Sequence, residues 1–411
     1  MSFGIPVRNG LGVGLLASTF LSSLRIGGRP ALFLNFIGTN SLDSRITFTR
    51  TTTATVTNSS GVIQSAAINE PRFDYDPVTL APKGLLIEEQ RTNLLTYSEE
   101  FDNAYWQKST QGTGIAPVVT ANAATAPDGT MTADQVVFAS VGTGSGDRSR
   151  LLTALLGLGS GTYTVSFWIK AASPSQPNLS LFIQSGVNSL VVVPTTEWVR
   201  YTFTATEANQ RPELRLSGNV GTLGTYYVWG AQLEAGAFAT SYIPTTTTSL
   251  TRNADVVSMT GTNFSDWYNA SEGAFSATAQ IAQLTSLFPI FISANDGTLN
   301  NYLNCYPYNP SSPNMVCISQ VGGAQQYLGV PGAVSVNTKT NVCFAYKASS
   351  FASAMNGTGL QSAATGSIPT VDRLTLGSTT SNYFLNGHLQ KINYWPQRLT
   401  NNEVQAFSKV G

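Results

Sequence analysis

Apolar and polar residues alternate with a period of two through most of the chain, the repeat of a half-buried β-strand and not of a helix. Across residues 163–170, Tyr163, Val165, Phe167 and Ile169 share one face, while Thr164, Ser166, Trp168 and Lys170 share the other. The alternation returns in Leu179/Leu181/Ile183, in Val199/Tyr201/Phe203 and in Leu214/Leu216, with Gly, Pro, Asn and Ser clusters between. Short strands at that spacing predict an antiparallel β-sandwich. A second series, over 275–281, 287–292, 342–346, 374–376 and 387–394, predicts another. In its last member Leu389 and Ile392 are three apart but Ile392 and Tyr394 two apart, so a β-bulge near Gln390-Lys391 is needed to keep one face. The clearest helix signal is terminal: Thr400 followed by Glu403 is capping-box spacing, ahead of one or two helical turns.

The expected fold is therefore all-β, with two antiparallel sandwiches in tandem after an extended N-terminal arm. We divide the chain into an arm at 1–40, a charged wrapping segment at 41–97, a first sandwich at 98–244, a linker at 245–272 and a second sandwich at 273–411. The arm has no acidic residue, and its apolar residues keep no sustained period. Leu15, Leu16, Phe20, Leu21 and Leu24 are expected to order against a partner protein and to form the attachment point. The segment 41–97 concentrates Arg45, Arg50, Arg72, Arg91, Glu70, Asp74, Asp76, Glu88 and Glu89 in a chain poor in charge. Its apolar residues are mostly isolated, which predicts wrapping of another surface in place of a core of its own.

Composition narrows the function. Of 411 residues, 42% are hydrophobic and 11% charged, against about 25% charged in ordinary globular proteins. That is enough apolar material to exclude charge-driven disorder. Lys plus Arg equals Asp plus Glu at 22 each, so no basic stripe exists for a nucleic-acid partner. No apolar run reaches the roughly 18 residues of a membrane span. The single histidine, His388, excludes histidine-rich metal sites and most imidazole catalysis, and is read as a hydrogen-bonded structural residue. Cys305, Cys317 and Cys343 lack metal-ligand spacing and are read as small core residues, with a Cys317–Cys343 disulfide left open. Gly142 to Gly146 lacks the lysine of a phosphate loop and is read as a plain loop.

Several motifs carry a resemblance. Residues 45–97, including Pro71 to Asp76 and Gly84 to Leu95, with Phe101 and Tyr105-Trp106 beyond, resemble a segment of tailed-bacteriophage virion proteins of the head spike or fibre type. Residues 127–244, with Trp229-Gly230-Ala231-Gln232-Leu233-Glu234 and Thr240 to Pro244, are similar to a carbohydrate-binding-module-like jelly roll. The ending from Phe384 to Glu403 resembles the closing strand and turn of a concanavalin-like, laminin G-like sandwich. The resemblance implies a structural appendage of the virion, on head or tail, assembled in the bacterial cytoplasm. It also implies attachment to capsid or tail proteins and contact with host surface polysaccharide. A homo-oligomer, trimer or pentamer, is expected from the low charge, the aromatic content and the coreless segment.

Glycan recognition needs aromatic platforms beside amide and charged hydrogen-bonding groups, because a sugar ring has an apolar face and a polar rim. Alternation places Trp168, Phe182, Gln184, Trp198 and Arg200 away from the first sandwich's core, and these are the glycan-binding candidates; the competing reading buries that face under 41–97 or another subunit. A glycosidase would need two carboxylates in one groove. Asp74/Asp76 and Glu88/Glu89 lie beside Arg72 and Arg91 and are read as ion-paired, so no enzyme and no cofactor are expected. Bound calcium is compatible with both sandwiches but no acidic ladder supports it, and the metal question stays open. A capsid decoration protein without sugar binding and a capsule-degrading hydrolase are the alternatives.

Overall fold

The computed structural model describes residues 28–140, 146–184, 188–217, 222–284, 288–309, 312–379 and 383–411. The fold is all-β, with antiparallel sheets. The first sandwich packs the sheet Val199–Glu207, Gly161–Ala171, Thr222–Ala235, Ala133–Ser140 and Gly114–Ala124 on a second. That second sheet runs Ser189–Val192, Leu179–Phe182, Glu213–Ser217, Arg148–Leu152 and Gln107–Gln111. Its core is the set the alternation picks out: Tyr163, Val165, Phe167 and Ile169 meet Leu179, Leu181, Ile183, Leu214 and Leu216, joined by Phe101 and Trp106. Residues 141–145 lie outside the described part, and the adjoining Asp147 carboxylate accepts the Thr113 backbone N–H at 2.7 Å.

The second sandwich draws on both ends of the chain. One sheet runs Thr358–Ala363, Phe351–Met355, Thr340–Lys347, Glu272–Ile281, Gly387–Trp395, Pro82–Ile87 and Phe73–Tyr75. Leu32–Asn35 pairs with the far part of Gly387–Trp395, beyond Pro82–Ile87 on the same edge. The facing sheet runs Thr47–Thr49, Val256–Thr260, Arg373–Leu376, Ile292–Asn295, Tyr302–Asn309, Ser312–Val321 and Ala324–Ala333. So the stretch expected to wrap supplies three of these strands, and the stretch expected to link supplies Val256–Thr260. Residues 31–36 fall within the expected arm, yet Leu32, Leu34 and Phe36 are at most 2% exposed in this core. The five leucine and phenylalanine attachment candidates of the arm lie outside the described residues.

Local details follow the pattern reading. Thr278 pairs with Lys391 and Ala279 with Leu389, leaving Gln390 as the extra residue of a bulge. Thr400 and Glu403 close a full capping box on the helix Asn401–Phe407, which buries Val404. All three cysteines are free and buried; Cys305 and Cys317 are cross-strand neighbours with Sγ atoms 3.4 Å apart, and the Cys317–Cys343 disulfide is not formed.

Where the sandwiches meet, charge is buried. Asp255 takes Arg50 at 3.0 Å and Arg72 at 2.5 Å, while Glu88 takes Arg72 at 2.7 Å and Arg252 at 3.5 Å. Glu88 also accepts the backbone N–H and hydroxyl of Ser241, a residue of the segment that returns from the first sandwich. Three guanidinium groups face two carboxylates, and backbone carbonyls of Ala67 and Glu89 take further donors from Arg50 and Arg252. Burial alone would push the Glu88 carboxyl up; the Arg252 and Arg72 charges and the Ser241 hydrogen bonds outweigh it and hold it well below the carboxylate range. A depressed folded-state value means the unfolded chain takes up the proton first as pH falls, so this stabilisation is complete above the ordinary value of 4.5 and declines below it.

Two outcomes follow. Glu88→Gln leaves Arg252 without its paired carboxylate and Arg72 with Asp255 alone, and should cost about 3–5 kcal/mol at neutral pH. In thermal melts from pH 6 to pH 3 the variant should lose less stability than the wild type. A chain starting at Leu42 exposes the slots of Leu32, Leu34 and Phe36, each worth about 1.5–3 kcal/mol, and its melting temperature should fall; an unchanged value would show the strand to be dispensable.

Candidate functional site

The motif Trp229 to Glu234 and the returning segment Thr240 to Pro244 form one staple. Gln232, buried, accepts from the Ile243 N–H at 2.7 Å, and Glu234 accepts from the Thr240 N–H and hydroxyl. Trp229 packs on Tyr242 at 4.5 Å between ring centroids and donates its indole N–H to Thr132. Between them Gly230 adopts φ +63°, and a Cβ there would stand 2.9 Å from Cδ1 of Trp168. A glycine is required at this point because the Trp168 indole lies over its backbone.

Trp168 lines a cleft of about 270 Å³ between the two sandwiches. Arg200, Thr240 and Tyr242 line it from the first sandwich, Thr55 and Ile63 from the hairpin Ala54–Thr57/Ile63–Ala66, and Asp74, Lys83 and His388 from the second. Arg200 donates to the Thr240 carbonyl at 2.6 Å and to Ser166 Oγ at 3.0 Å. Burial pushes its guanidinium down, and the charges of Glu234 and Glu88 oppose that. His388 Nε2 lies 2.8 Å from Asp74 Oδ2, so the lone histidine has the partner expected of a structural residue. Burial pushes the imidazole down against the pull of Asp74. Asp74 itself is pushed up by burial but held below the usual range by His388, Lys83 and the Thr57 N–H. Among the described residues two side chains that line this cleft carry a buried donor without an acceptor: Nε1 of Trp168, which lies over Gly230, and Nε of Arg200.

The five glycan-binding candidates separate. Trp168 and Arg200 come together in the cleft. Trp198 stands just before the Arg200 strand but donates its indole N–H to the Thr125 carbonyl and packs in the Trp229 cluster. Phe182 belongs to the opposite sheet and Gln184 follows just past the end of the same strand, so they do not share a surface with Trp168. Phe182 lies under the Arg215 guanidinium at 4.1 Å, and the Gln184 amide meets the Asn209 backbone. The pattern reading missed Asp74, Lys83, His388 and Tyr242. Tyr242 had a signal, since it stands inside the Thr240 to Pro244 motif; Asp74 and His388 are 314 residues apart, and no local pattern joins them.

Across the hairpin a second groove of about 380 Å³ is lined by Glu99, Asp128, Trp229 and Tyr242. Burial pushes the Glu99 carboxyl up while it accepts from the Tyr242 hydroxyl at 2.8 Å. Asp128 accepts from the N–H and hydroxyl of Thr130. Among the described residues no group of three or more His, Cys, Asp or Glu side chains could hold a metal ion, and no helix is long and apolar enough to cross a membrane.

No protein-family model matches the chain, and a comparison with curated proteins found no match. Solved structures do show similarity. A carbohydrate-binding module, CBM40, of the Ruminococcus gnavus IT-sialidase is 15% identical at a TM-score of 0.31, covering 36% of this chain and 87% of that one. Domain 4 of AbnA, a GH43 extracellular arabinanase from Geobacillus stearothermophilus solved with arabinotriose, is 13% identical at 0.32, covering 43% and 84%. NanB sialidase from Streptococcus pneumoniae is 16% identical at 0.31, covering 38% of this chain and 26% of that one.

The packing of Trp168 over Gly230 can be tested against a control. Gly129 also has a positive φ, +81°, but a Cβ there meets only Val62 at 3.5 Å. Both Gly→Ala substitutions incur the left-handed backbone cost of about 1–2 kcal/mol. Gly230→Ala should cost about 1–3 kcal/mol more from overpacking, measured by denaturant unfolding.

Proposed function

We propose that this chain is a non-enzymatic appendage protein of a bacteriophage virion, and that the cleft between its sandwiches binds host surface polysaccharide. The observation that carries the binding part is that Trp168 and Arg200, whose buried Nε1 and Nε donors lack an acceptor, both line the cleft. A buried donor without a partner is costly, and a sugar hydroxyl or ring oxygen supplies the acceptor. The Trp168 ring offers an apolar face, while Asp74, Lys83 and Thr240 offer polar groups to a rim of hydroxyls.

The non-enzymatic part rests on how the carboxylates are engaged. Asp74 is tied to His388 and Lys83, Glu88 to Arg72 and Arg252, Glu99 to Tyr242 and Asp128 to Thr130. The virion part rests on the resemblance of residues 45–97, of the Trp229 to Glu234 motif and of the closing segment. An oligomer in the particle is supported by Ile115 and Leu223. They flank Ala139 on neighbouring strands and are 45% and 60% exposed.

Trp168→Phe keeps an aromatic ring and removes the unpartnered donor. On a panel of bacterial surface polysaccharides the full-length variant should bind about 3- to 10-fold more weakly, with its melting temperature within about 2 °C of wild type. Unchanged affinity would remove the cleft as the binding site. Absence of the chain from purified particles, probed by mass spectrometry, would remove the virion reading.

A further inference from the structure

The outer face of the second sandwich holds a separate pocket that the interdomain cleft does not touch. Along Tyr302–Asn309 the residues Leu303 and Cys305 enter the core, which turns Tyr302, Asn304 and Tyr306 to the opposite face. Ile318 and Val316 lie opposite Asn304 and Tyr306 on the paired strand and extend this second apolar layer. Phe288 stands over it, its ring edge-on to Tyr306 at 5.3 Å and to Tyr383 at 5.2 Å. The result is a cavity of about 140 Å³ bounded by Phe288, Leu299, Tyr302, Asn304, Tyr306 and Tyr383, with no charged side chain among the described residues of its lining.

One polar group in that wall is unexplained. Asn304 is 4% exposed, and its Oδ1 accepts no hydrogen bond among the described residues. Its neighbours do not leave their polar atoms idle, for the Tyr302 hydroxyl donates to Gln320 at 2.6 Å. An amide carbonyl buried among rings without a donor carries the full desolvation penalty unless something brings a donor to it. A group that offers an O–H to the carbonyl and an apolar C–H face to the rings fits both features at once.

We propose that this pocket is a second glycan site, taking a single neutral sugar residue whose hydroxyl donates to Asn304 Oδ1 and whose ring lies against Tyr306 and Tyr383. Its volume is below the roughly 300 Å³ of pockets that enclose a drug-sized ligand, so it takes one ring at a chain end and not an internal stretch. The uncharged lining selects against sialic and uronic acids, whose carboxylate would be desolvated without a partner. The site stands on its own observation, in a different sandwich from Trp168.

The test titrates the full-length chain with methyl glucoside, methyl galactoside, methyl mannoside and N-acetylneuraminic acid, read by saturation-transfer NMR. Wild type should bind at least one neutral glycoside and not the acid. Asn304→Val removes the orphan carbonyl, so it should weaken that binding about 3- to 10-fold while leaving the melting temperature unchanged or raised. Tyr383→Ala, at a half-buried position, should weaken it as well. Trp168→Phe should leave it untouched, which separates this site from the cleft. Silence of all three neutral glycosides at millimolar concentration would overturn the proposal. So would equal binding by the Asn304 variant, or a large loss of its thermal stability, which would make Asn304 a structural residue.

Discussion

The buried ion network of Arg50, Arg72, Glu88, Arg252 and Asp255 is the constraint on which the arrangement of this protein depends. Its members come from the charged segment and from the return toward the second sandwich, and Ser241 ties it to the first. Ion pairs of this kind are poor sources of net stability because desolvation offsets their attraction. They are effective at excluding alternatives. A first sandwich displaced by a few ångströms would strip Glu88 and Arg72 of their Ser241 hydrogen bonds, so the network favours one relative placement and with it the shape of the cleft beside Glu88.

The same logic explains the polar residues of the Trp229 to Glu234 motif. Gln232 and Glu234 are buried not for chemistry but to supply acceptors to backbone N–H groups of residues 240 and 243, which run alongside without a regular ladder. That holds Tyr242 against Trp229 and fixes the floor under Trp168. Sequence specificity in this motif is thus a record of hydrogen-bond accounting at the sandwich edge.

Much of the strand content was legible, because a period of two survives wherever one face is buried. The bulge at Gln390 and the capping box at Thr400 were legible for the same reason: each is a local violation or signal with one structural resolution. Pairing partners were not. Leu32, Leu34 and Phe36 alternate as a strand should, but the exposed Phe33 between them disguises the period, and only the structure shows its ring covered by Lys391 at 5.1 Å. Phe182 points away from the core that Leu181 enters and is buried against Arg215. Periodicity says nothing of which sheet a strand joins, and so could not separate it from Trp168. The cleft itself is built from residues hundreds of positions apart and leaves no trace in any window.

The pairing of Leu32–Asn35 with Gly387–Trp395 bears on the order in which the molecule is made. A ribosome releases the first strands of the second sandwich long before the strand that completes them, and non-local pairings of this kind are slow because loop closure precedes their reward. The first sandwich has all its strands between residues 107 and 235 and can close while the rest is still emerging. Once closed, it brings the two flanking chains side by side: Tyr97 donates to the Thr246 carbonyl, and Arg91–Asn93 pairs with Leu250–Arg252. A gap of roughly 150 residues is thereby shortened to a tight connection. The inserted sandwich acts on its neighbour as an intramolecular chaperone of chain entropy.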